Sequence, residues 1–518
     1  MTDQDLPEHV DLLVVGSGPV GAAIARRVHD TDPAATILMA ELGPALTERA
    51  GTHLRTVAPA ERAPLQAKSQ GRDPATGPHE TGALVRKYAD PGTHLVRARD
   101  DAESEQDGMP AAVMSSNVGG MGAHWAGACP RTLDSECVPY VPAGELDDAL
   151  KVAEELLAVT DEAFDDTPAA RLVTEKLSAL FDPRYPEGRW VGPMPLSVAR
   201  HEDGGLEWFG ADHVLGPLAD PATRNGRFHL SSETICRRVL FDGERMTGAV
   251  VEHLPTGRQT HVRANAVAVA ADALRTPQLL WASGIRPDAL GRYLNDQPKT
   301  LSSLQVRDAP VAGAAAKGTV EFTGDVRDLE TGRLWIPFAD PVPSKEGHLN
   351  HGQAMLMDSS PLQGDDGVLL LALIFYGTKE LSRDDRVEFS TSEADAYGMP
   401  KMTIHYSLTD RDRAGIARAI ADQEAIAAEL GDFLPGQEPA LFPAGSSKHY
   451  QGTVRMGAAD DGTSVCDSSS RVWGFENLYV GGNGVIPTSI ACNPTLTSVA
   501  LAVRAADAIS GQLARDRG

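Results

Sequence analysis

Leu12-Leu13-Val14-Val15-Gly16-Ser17-Gly18-Pro19-Val20-Gly21 is the stretch from which the fold can be read. Four apolar residues without alternation predict a strand buried on both faces. Gly16, Gly18 and Gly21 then follow the spacing Gly-x-Gly-x-x-Gly. In a dinucleotide site such glycines serve a tight turn, close approach of the main chain to a pyrophosphate, and close packing of helix on strand. The pyrophosphate rests at the positive helix N-terminus. Val20, Ile24 and Val28, each four apart, give that helix an apolar face, and Ile37-Leu38-Met39-Ala40 reads as the next strand. Glu41 ends it, twenty residues after Gly21, where a carboxylate accepts hydrogen bonds from a ribose diol and repels a 2′-phosphate. The unit is βαβ, and strand, helix and acid together favour a bound dinucleotide over a tight turn in an unrelated α/β protein.

The whole chain sets bounds on this reading. Its 518 residues carry a formal net charge of −25, which argues against nucleic acid or an anionic membrane as partner, because neither polyanion is attracted to an acidic surface. A hydrophobic share of 42% with 23% charged residues excludes whole-chain disorder. The length predicts two or more domains, or one large elaborated domain. Cys129, Cys137, Cys236, Cys466 and Cys492 are scattered, with no Cys-x-x-Cys pair, so no metal site is expected and a reducing compartment fits. Asp3, Asp5 and Glu8 stand where a secretory signal carries Lys or Arg, and no apolar run is long enough to span a membrane. A soluble, cytoplasmic protein is expected.

Further along, residues 45–112 are rich in Pro, Gly and charge with little periodicity, as in a functional excursion or lid. Between 229 and 262 the turn signals Asp242-Gly243 and Pro255-Thr256-Gly257 predict a meander of three short strands, and the apolar run 266–271 predicts a return to the buried parallel sheet. From 301 to 406 the pattern changes: a nine-residue apolar strand over 368–376 and the alternation of Met402, Ile404 and Tyr406 predict a large antiparallel sheet. Thr409 is the expected cap of a helix that Gly431 ends. A strand over 478–480, a glycine turn and a long helix bring the chain back to the nucleotide-binding domain. No internal repeat is visible.

The first glycine triplet does not separate NAD from FAD. Glycine-rich segments recur at Asn117-Val118-Gly119-Gly120-Met121-Gly122-Ala123-His124-Trp125 and at Gly481-Gly482-Asn483-Gly484, and several loops closing on one extended cofactor favour FAD. No second Gly-x-Gly-x-x-Gly follows a strand, so a flavoprotein that also docks NAD(P)H is disfavoured. With His449-Tyr450-Gln451-Gly452-Thr453-Val454-Arg455-Met456-Gly457 and Asn493-Pro494-Thr495-Leu496-Thr497, these segments resemble the glucose-methanol-choline oxidoreductase family. Within it the chain is most similar to the pyranose oxidase and bacterial glycoside 3-oxidase branch, as Asp395-Ala396-Tyr397-Gly398-Met399-Pro400 also indicates.

The resemblance implies an α/β fold: a Rossmann-type FAD-binding domain assembled from 1–60, 105–135, 215–300 and 448–518, and an antiparallel-sheet substrate domain from 136–214 and 301–447, with 61–104 as the excursion. It implies oxidation of a secondary hydroxyl, C2 or C3 of a pyranose or glycoside, with hydride passing to flavin N5 and then to O2 or a quinone. The catalytic pair falls on His449 and Asn493. A neutral imidazole is a suitable base near pH 7, and a carboxamide fixes the same hydroxyl without competing for its proton. The helix beginning at Asn493, Pro494 and Thr495 would stabilise an anionic reduced flavin.

The cofactor contacts implied are Gly16, Gly18, Gly21 and Glu41, then Asn117, Gly119, Gly120, Met121, His124, Trp125 and Ala126. Cys236 would meet adenine through its main chain, Ala271 belongs to the pyrophosphate turn with Asp272 an unusual neighbour, and Gly482 and Asn483 close the cradle. Fungal pyranose oxidases have Thr on both sides of the His-Trp pair, the histidine being joined covalently to the flavin. Ala123 and Ala126 stand here, so FAD without a covalent link to His124 is expected. Tyr376, Tyr397 and Trp335 are the aromatics considered for stacking on a sugar ring. A monomer or dimer is expected, because the arm segments of the fungal tetramers are missing. The alternatives are an oxidase or dehydrogenase of a nonsugar alcohol, and a noncatalytic binding protein on the same scaffold.

Overall fold

The computed structural model describes residues 6–58, 61, 65, 96–97, 108–164, 167–185, 189–202, 205–224, 226–307, 330–337, 350–359 and 366–517. Most of the expected excursion 61–104 therefore lies outside the described residues. The opening stretch forms β1 (His9–Val15), α1 (Pro19–Thr31) and β2 (Ile37–Ala40). The chain rejoins this sheet as β3 (Phe228–Ser231), β4 (Thr234–Asp242), β5 (Arg245–His253) and β6 (Arg258–Val269), which runs into α2 (Asp272–Ala282). Strand order is β3-β2-β1-β6-β5-β4.

The expected meander is longer than its sequence indicated, and its third strand is the same strand as the apolar run at 266–271. In β6 the first half, Arg258 to Arg263, pairs antiparallel with β5, while the stretch from Arg263 to Val269 pairs parallel with β1. A strand that changes partners midway changes its burial pattern midway, which is why it reads as two.

The four long strands of the second sheet are β7 (Lys299–Val306), β8 (Glu330–Pro337), β9 (Asn350–Ser359) and β10 (Asp366–Gly377), antiparallel in the order β7-β10-β9-β8. Along β10, Leu371, Leu373 and Phe375 meet a layer formed by the helix Pro168–Phe181 and a second helix over residues 410–430, while Leu370, Ala372, Ile374 and Tyr376 face an internal cavity. Both faces are covered, so the strand reads as a continuous apolar run although side chains alternate.

The stretch containing Met402 and Ile404 does not join that sheet, contrary to expectation. It pairs with its neighbour in a two-stranded sheet of its own, as β11 (Arg386–Ala394) and β12 (Pro400–His405). Its apolar face has a different partner: Val387, Met402 and Ile404 pack on Leu274 of α2 and on Tyr450. The following helix, α3 (Asp410–Leu430), has the expected Thr409 cap, completed by the Asp412 carboxylate accepting from the Thr409 N–H. Gly431 continues extended into a short strand beside β7, where a Cβ would stand 1.8 Å from the Gln305 carbonyl oxygen.

The chain returns to the first sheet as β13 (Leu478–Val480), parallel to β6, and ends in α4 (Thr495–Arg517), which packs along α1. The C-terminal ends of β1, β6 and β13 are thus adjacent, and the turns after them carry Gly16, Ala271 and Gly482. A crevice outside the carboxyl ends of parallel strands is where this class of sheet binds ligands. All five cysteines are free thiols. Among the described residues no helix is long and apolar enough to cross a membrane, and no cluster of His, Cys, Asp and Glu could hold a metal ion.

Candidate active site

A cavity of about 630 Å³ runs from the turn after β1 to the inner face of the second sheet. At its first end Gly16 has φ +102°, and a Cβ there would lie 2.3 Å from the Ala270 carbonyl oxygen, so only glycine lets the two turns meet. At Gly21 a Cβ would fall 2.1 Å from the Gly16 carbonyl oxygen, which makes it a packing glycine. Gly18 is different: the nearest groups to its missing side chain, in Gly119 and Gly120, are 3.9 Å away. Nothing lies within 4 Å of the Cβ position at Gly482. Both leave bare main chain on the cavity wall, as close approach of a phosphate requires.

Glu41 lines the same end and is buried. Its carboxylate accepts from the Ser17 N–H at 3.1 Å, the Ser17 hydroxyl at 2.7 Å and the Gly43 N–H at 2.9 Å. Burial nevertheless holds the carboxyl above its ordinary range. Asp272 adopts a left-handed φ of +67° and accepts from the Leu274 and Arg275 N–H groups at 2.6 and 3.0 Å, capping α2. Short polar side chains tolerate this conformation by such local bonding, which accounts for the unusual Asp beside Ala271. Arg275 donates through Nη1 to the Ser116 hydroxyl at 2.8 Å, and its buried Nη2 has no partner among the described residues. An unsatisfied guanidinium donor beside bare glycine main chain at the head of a helix fits the diphosphate of a dinucleotide such as FAD.

Of the expected cofactor contacts, Met121, Gly120, His124, Trp125 and Ala126 line the cavity, as do Cys236, Ala271, Gly482, Asn483, Asn493 and Thr495. Four do not: Gly21, Asn117, Gly119 and Pro494 lie behind the wall. Asn117 shapes the loop, its carboxamide donating to the Val118 and Gly120 carbonyls at 3.0 and 3.2 Å. Gly119 packs against Gly51, whose Cα would lie 2.8 Å from a Cβ at 119. His124 turns Nε2 toward the Ser115 hydroxyl at 3.4 Å.

At the other end His449 and Asn493 come together, with Asn493 Nδ2 3.4 Å from His449 Nε2. Tyr376 stands beside them, its ring 5.1 Å from the imidazole. Tyr397 lines the nucleotide end instead, 5.4 Å from the Arg275 guanidinium. Trp335 is not on the cavity wall; it stacks on His351 at 4.7 Å. Burial, with Lys299 and Lys448 nearby, pushes the His449 imidazole down to about 3. Burial pushes Asp296 up to about 6 despite donors from Ser447 and from the Gly445 N–H.

Three residues near the pair carry no motif and were missed. Gln297 contacts His449 Nδ1 at 2.7 Å, and Gln353 on β9 contacts Asn493 Oδ1 at 2.6 Å. Glu136, fully buried, pairs with His351 at 3.0 Å and accepts from the Leu133, Ala491 and Cys492 N–H groups at 3.1, 2.6 and 3.3 Å. It fastens the loop that delivers Asn493. Lone glutamines and a lone glutamate, far apart in sequence, offer no spacing by which to find them.

Two family models described as GMC oxidoreductase match residues 212–299 and 383–502. The chain is 46% identical to a C-glycoside 3-oxidase of Microbacterium trichothecenolyticum, over 100% of this chain and 99% of that protein. It is 30% identical to a pyranose 2-oxidase of Tricholoma matsutake, over 99% and 95% of the two chains. Among solved structures it is similar in fold to a formate oxidase of Aspergillus oryzae RIB40, a variant examined for FAD modification, with a TM-score of 0.66 at 15% identity over 98% and 99% of the chains. Full-length identity at this level, on a fold whose distant segments converge as that family requires, makes the chain a member of the GMC oxidoreductase family.

Proposed function

We propose that this protein is an FAD-dependent oxidase or dehydrogenase that converts a secondary hydroxyl of a pyranose, C2 or C3, to a ketone, with O2 or a quinone as final acceptor. The observation that carries the reading is the convergence of His449 and Asn493 at 3.4 Å on a cavity whose far end is a dinucleotide cradle. The higher identity to the C-glycoside 3-oxidase supports C3 of a glycoside.

Oxidation of a carbinol removes a proton from oxygen and a hydride from carbon. FAD, when bound, supplies the acceptor for the hydride. Gly16, Gly18, Gly482 and Arg275 would hold its diphosphate, Glu41 its ribose, and the main chain at Cys236 its adenine. His449 Nε2 takes the hydroxyl proton. An imidazole held to about 3 is a weak base toward an alcohol, but as the hydride departs the oxygen becomes that of a protonated ketone, which is far more acidic. Asn493 Nδ2 holds the same oxygen in line with Nε2. The methionines, leucines and isoleucine on the cavity face of the sheet exclude water from the reacting carbon.

The purified protein is expected to be yellow, and anaerobic addition of a substrate sugar or glycoside from a panel of free sugars, O-glycosides and C-glycosides should bleach it, with a keto product in equal amount. A colourless protein that fails to take up added FAD, or a yellow one that no sugar bleaches, would overturn the reading. Glu41→Ala is expected to weaken FAD retention by about 1–3 kcal/mol, the loss on deleting a charged hydrogen-bond acceptor and leaving its partners unpaired. Equilibrium dialysis of FAD checks this, and unchanged affinity would remove Glu41 from the ribose site.

A further inference from the structure

We infer that Gln297 is a positioning residue that fixes the tautomer of His449 and, through it, the direction in which Asn493 presents its carboxamide. The argument starts from two main-chain carbonyls. One end of the Gln297 carboxamide lies 2.8 Å from the carbonyl oxygens of both Ile490 and Cys492. A group facing two acceptors must be the NH2, so the other end, 2.7 Å from His449 Nδ1, is the oxygen. That oxygen can only accept, so Nδ1 carries the hydrogen and Nε2 keeps its lone pair. The Asn493 atom facing Nε2 at 3.4 Å is then the donor, Nδ2, and Oδ1 turns to Gln353, which meets it at 2.6 Å with Nε2. Each proton direction follows from the one before it.

The starting carbonyls are themselves fixed. In the same segment Ala491 and Cys492 donate their N–H groups to Glu136, and the His351 that pairs with Glu136 stands two residues before Gln353 on β9. The circuit closes on rigid elements. Which ring nitrogen of a histidine acts as the base is set by the bond its other nitrogen makes, and here a neutral amide does so without adding charge beside a desolvated imidazole.

The charged and titratable groups around His449 are Lys299 on β7, Tyr376 on β10, Lys448 on its own segment, and Asp296, which accepts from Ser447, whose hydroxyl in turn accepts from the His449 N–H at 2.9 Å. Among the described residues the hydrogen bonds to the ring nitrogens come from Gln297 and Asn493, and both agree with the Nδ1–H assignment.

The inference rests on the proposed function for its kinetic test and stands apart from it for its spectroscopic one. In FAD-loaded protein carrying 15N-histidine, the His449 signals, identified by their loss in His449→Gln, should show a protonated Nδ1 and an unprotonated Nε2. A His449 protonated at Nε2 would overturn the inference whether or not any sugar is oxidised. Gln297→Met fills the same space without an acceptor, and it should lower the rate of FAD reduction by substrate by about 10- to 100-fold with FAD occupancy kept. Gln297→Glu keeps an acceptor for Nδ1–H while setting a carboxylate against the Ile490 and Cys492 carbonyls. It should therefore outperform Gln297→Met at high pH and lose rate as pH falls, because the added charge favours the protonated imidazole. Both effects are read as differences from wild type, since burial pushes the neighbouring Asp296 carboxyl up to about 6. Unchanged rate in Gln297→Met, or equal and pH-independent losses in the two variants, would reduce Gln297 to a loop anchor and overturn the inference.

Discussion

His449→Ala should bind FAD as the wild type does and be reduced by substrate about 10² to 10⁴ times more slowly, the usual consequence of losing a positioned base. The cradle lies at the opposite end of the cavity, so occupancy measured by absorbance separates this from cofactor loss. The pH dependence is the sharper part. With its imidazole held to about 3, His449 remains neutral from pH 8 to pH 5, and the wild-type reduction rate should show no limb near the ordinary histidine value of 6.5. A limb near pH 6 that persists in His449→Ala would belong to Asp296. The stability link runs in the same direction: a histidine whose folded value is depressed contributes stability above its unfolded value, and that contribution is lost as pH falls toward the folded one. Reduction at near wild-type rate in the flavin-loaded variant would remove His449 from the chemistry.

Glu136→Ala should lower stability by about 3–5 kcal/mol, because it leaves the buried His351 Nε2 and the N–H groups of Leu133, Ala491 and Cys492 without their carboxylate partner. The loss should extend to activity, since the loosened loop carries Asn493. Burial alone would raise the Glu136 carboxyl, yet the charge and hydrogen bond of His351 and the main-chain donors hold it below its ordinary range. A depressed carboxylate contributes stability above its unfolded value of about 4.5 and loses it as pH falls through the folded one. The gap between wild type and variant, measured as the difference in urea midpoint, should therefore be widest at neutral pH and narrow below about pH 4.5. Equal midpoints at pH 7 would show that the pair does not hold the loop.

The first βαβ unit, with its glycines and Glu41, could be read from residues 12–41 because strand, turn and helix are encoded locally: an apolar run, a fixed glycine spacing and a fourfold apolar repeat need no distant partner. The Thr409 cap and the long strand over 368–376 were legible for the same reason. His449 and Asn493 were reached through motifs, and the structure brings them within 3.4 Å. Where local pattern serves two environments it misleads. β6 reads as two strands because it has an antiparallel partner on one half and a parallel one on the other. Met402 and Ile404 read as part of the large sheet because alternation tells which face is buried and not what buries it. Asn117 and Gly119 belong to a glycine-rich motif yet act from behind the wall, and Trp335, an aromatic on the second sheet, faces His351. The sequence by itself pointed to a dinucleotide cradle, to the acid expected beside it, and to the histidine and asparagine proposed for the chemistry. Only the tertiary structure decided that Gln297 and Gln353 bond that pair and that Glu136 holds the loop before Asn493, because a hydrogen bond between groups more than a hundred residues apart has no period and no composition, and exists only once the two sheets have closed on one cavity.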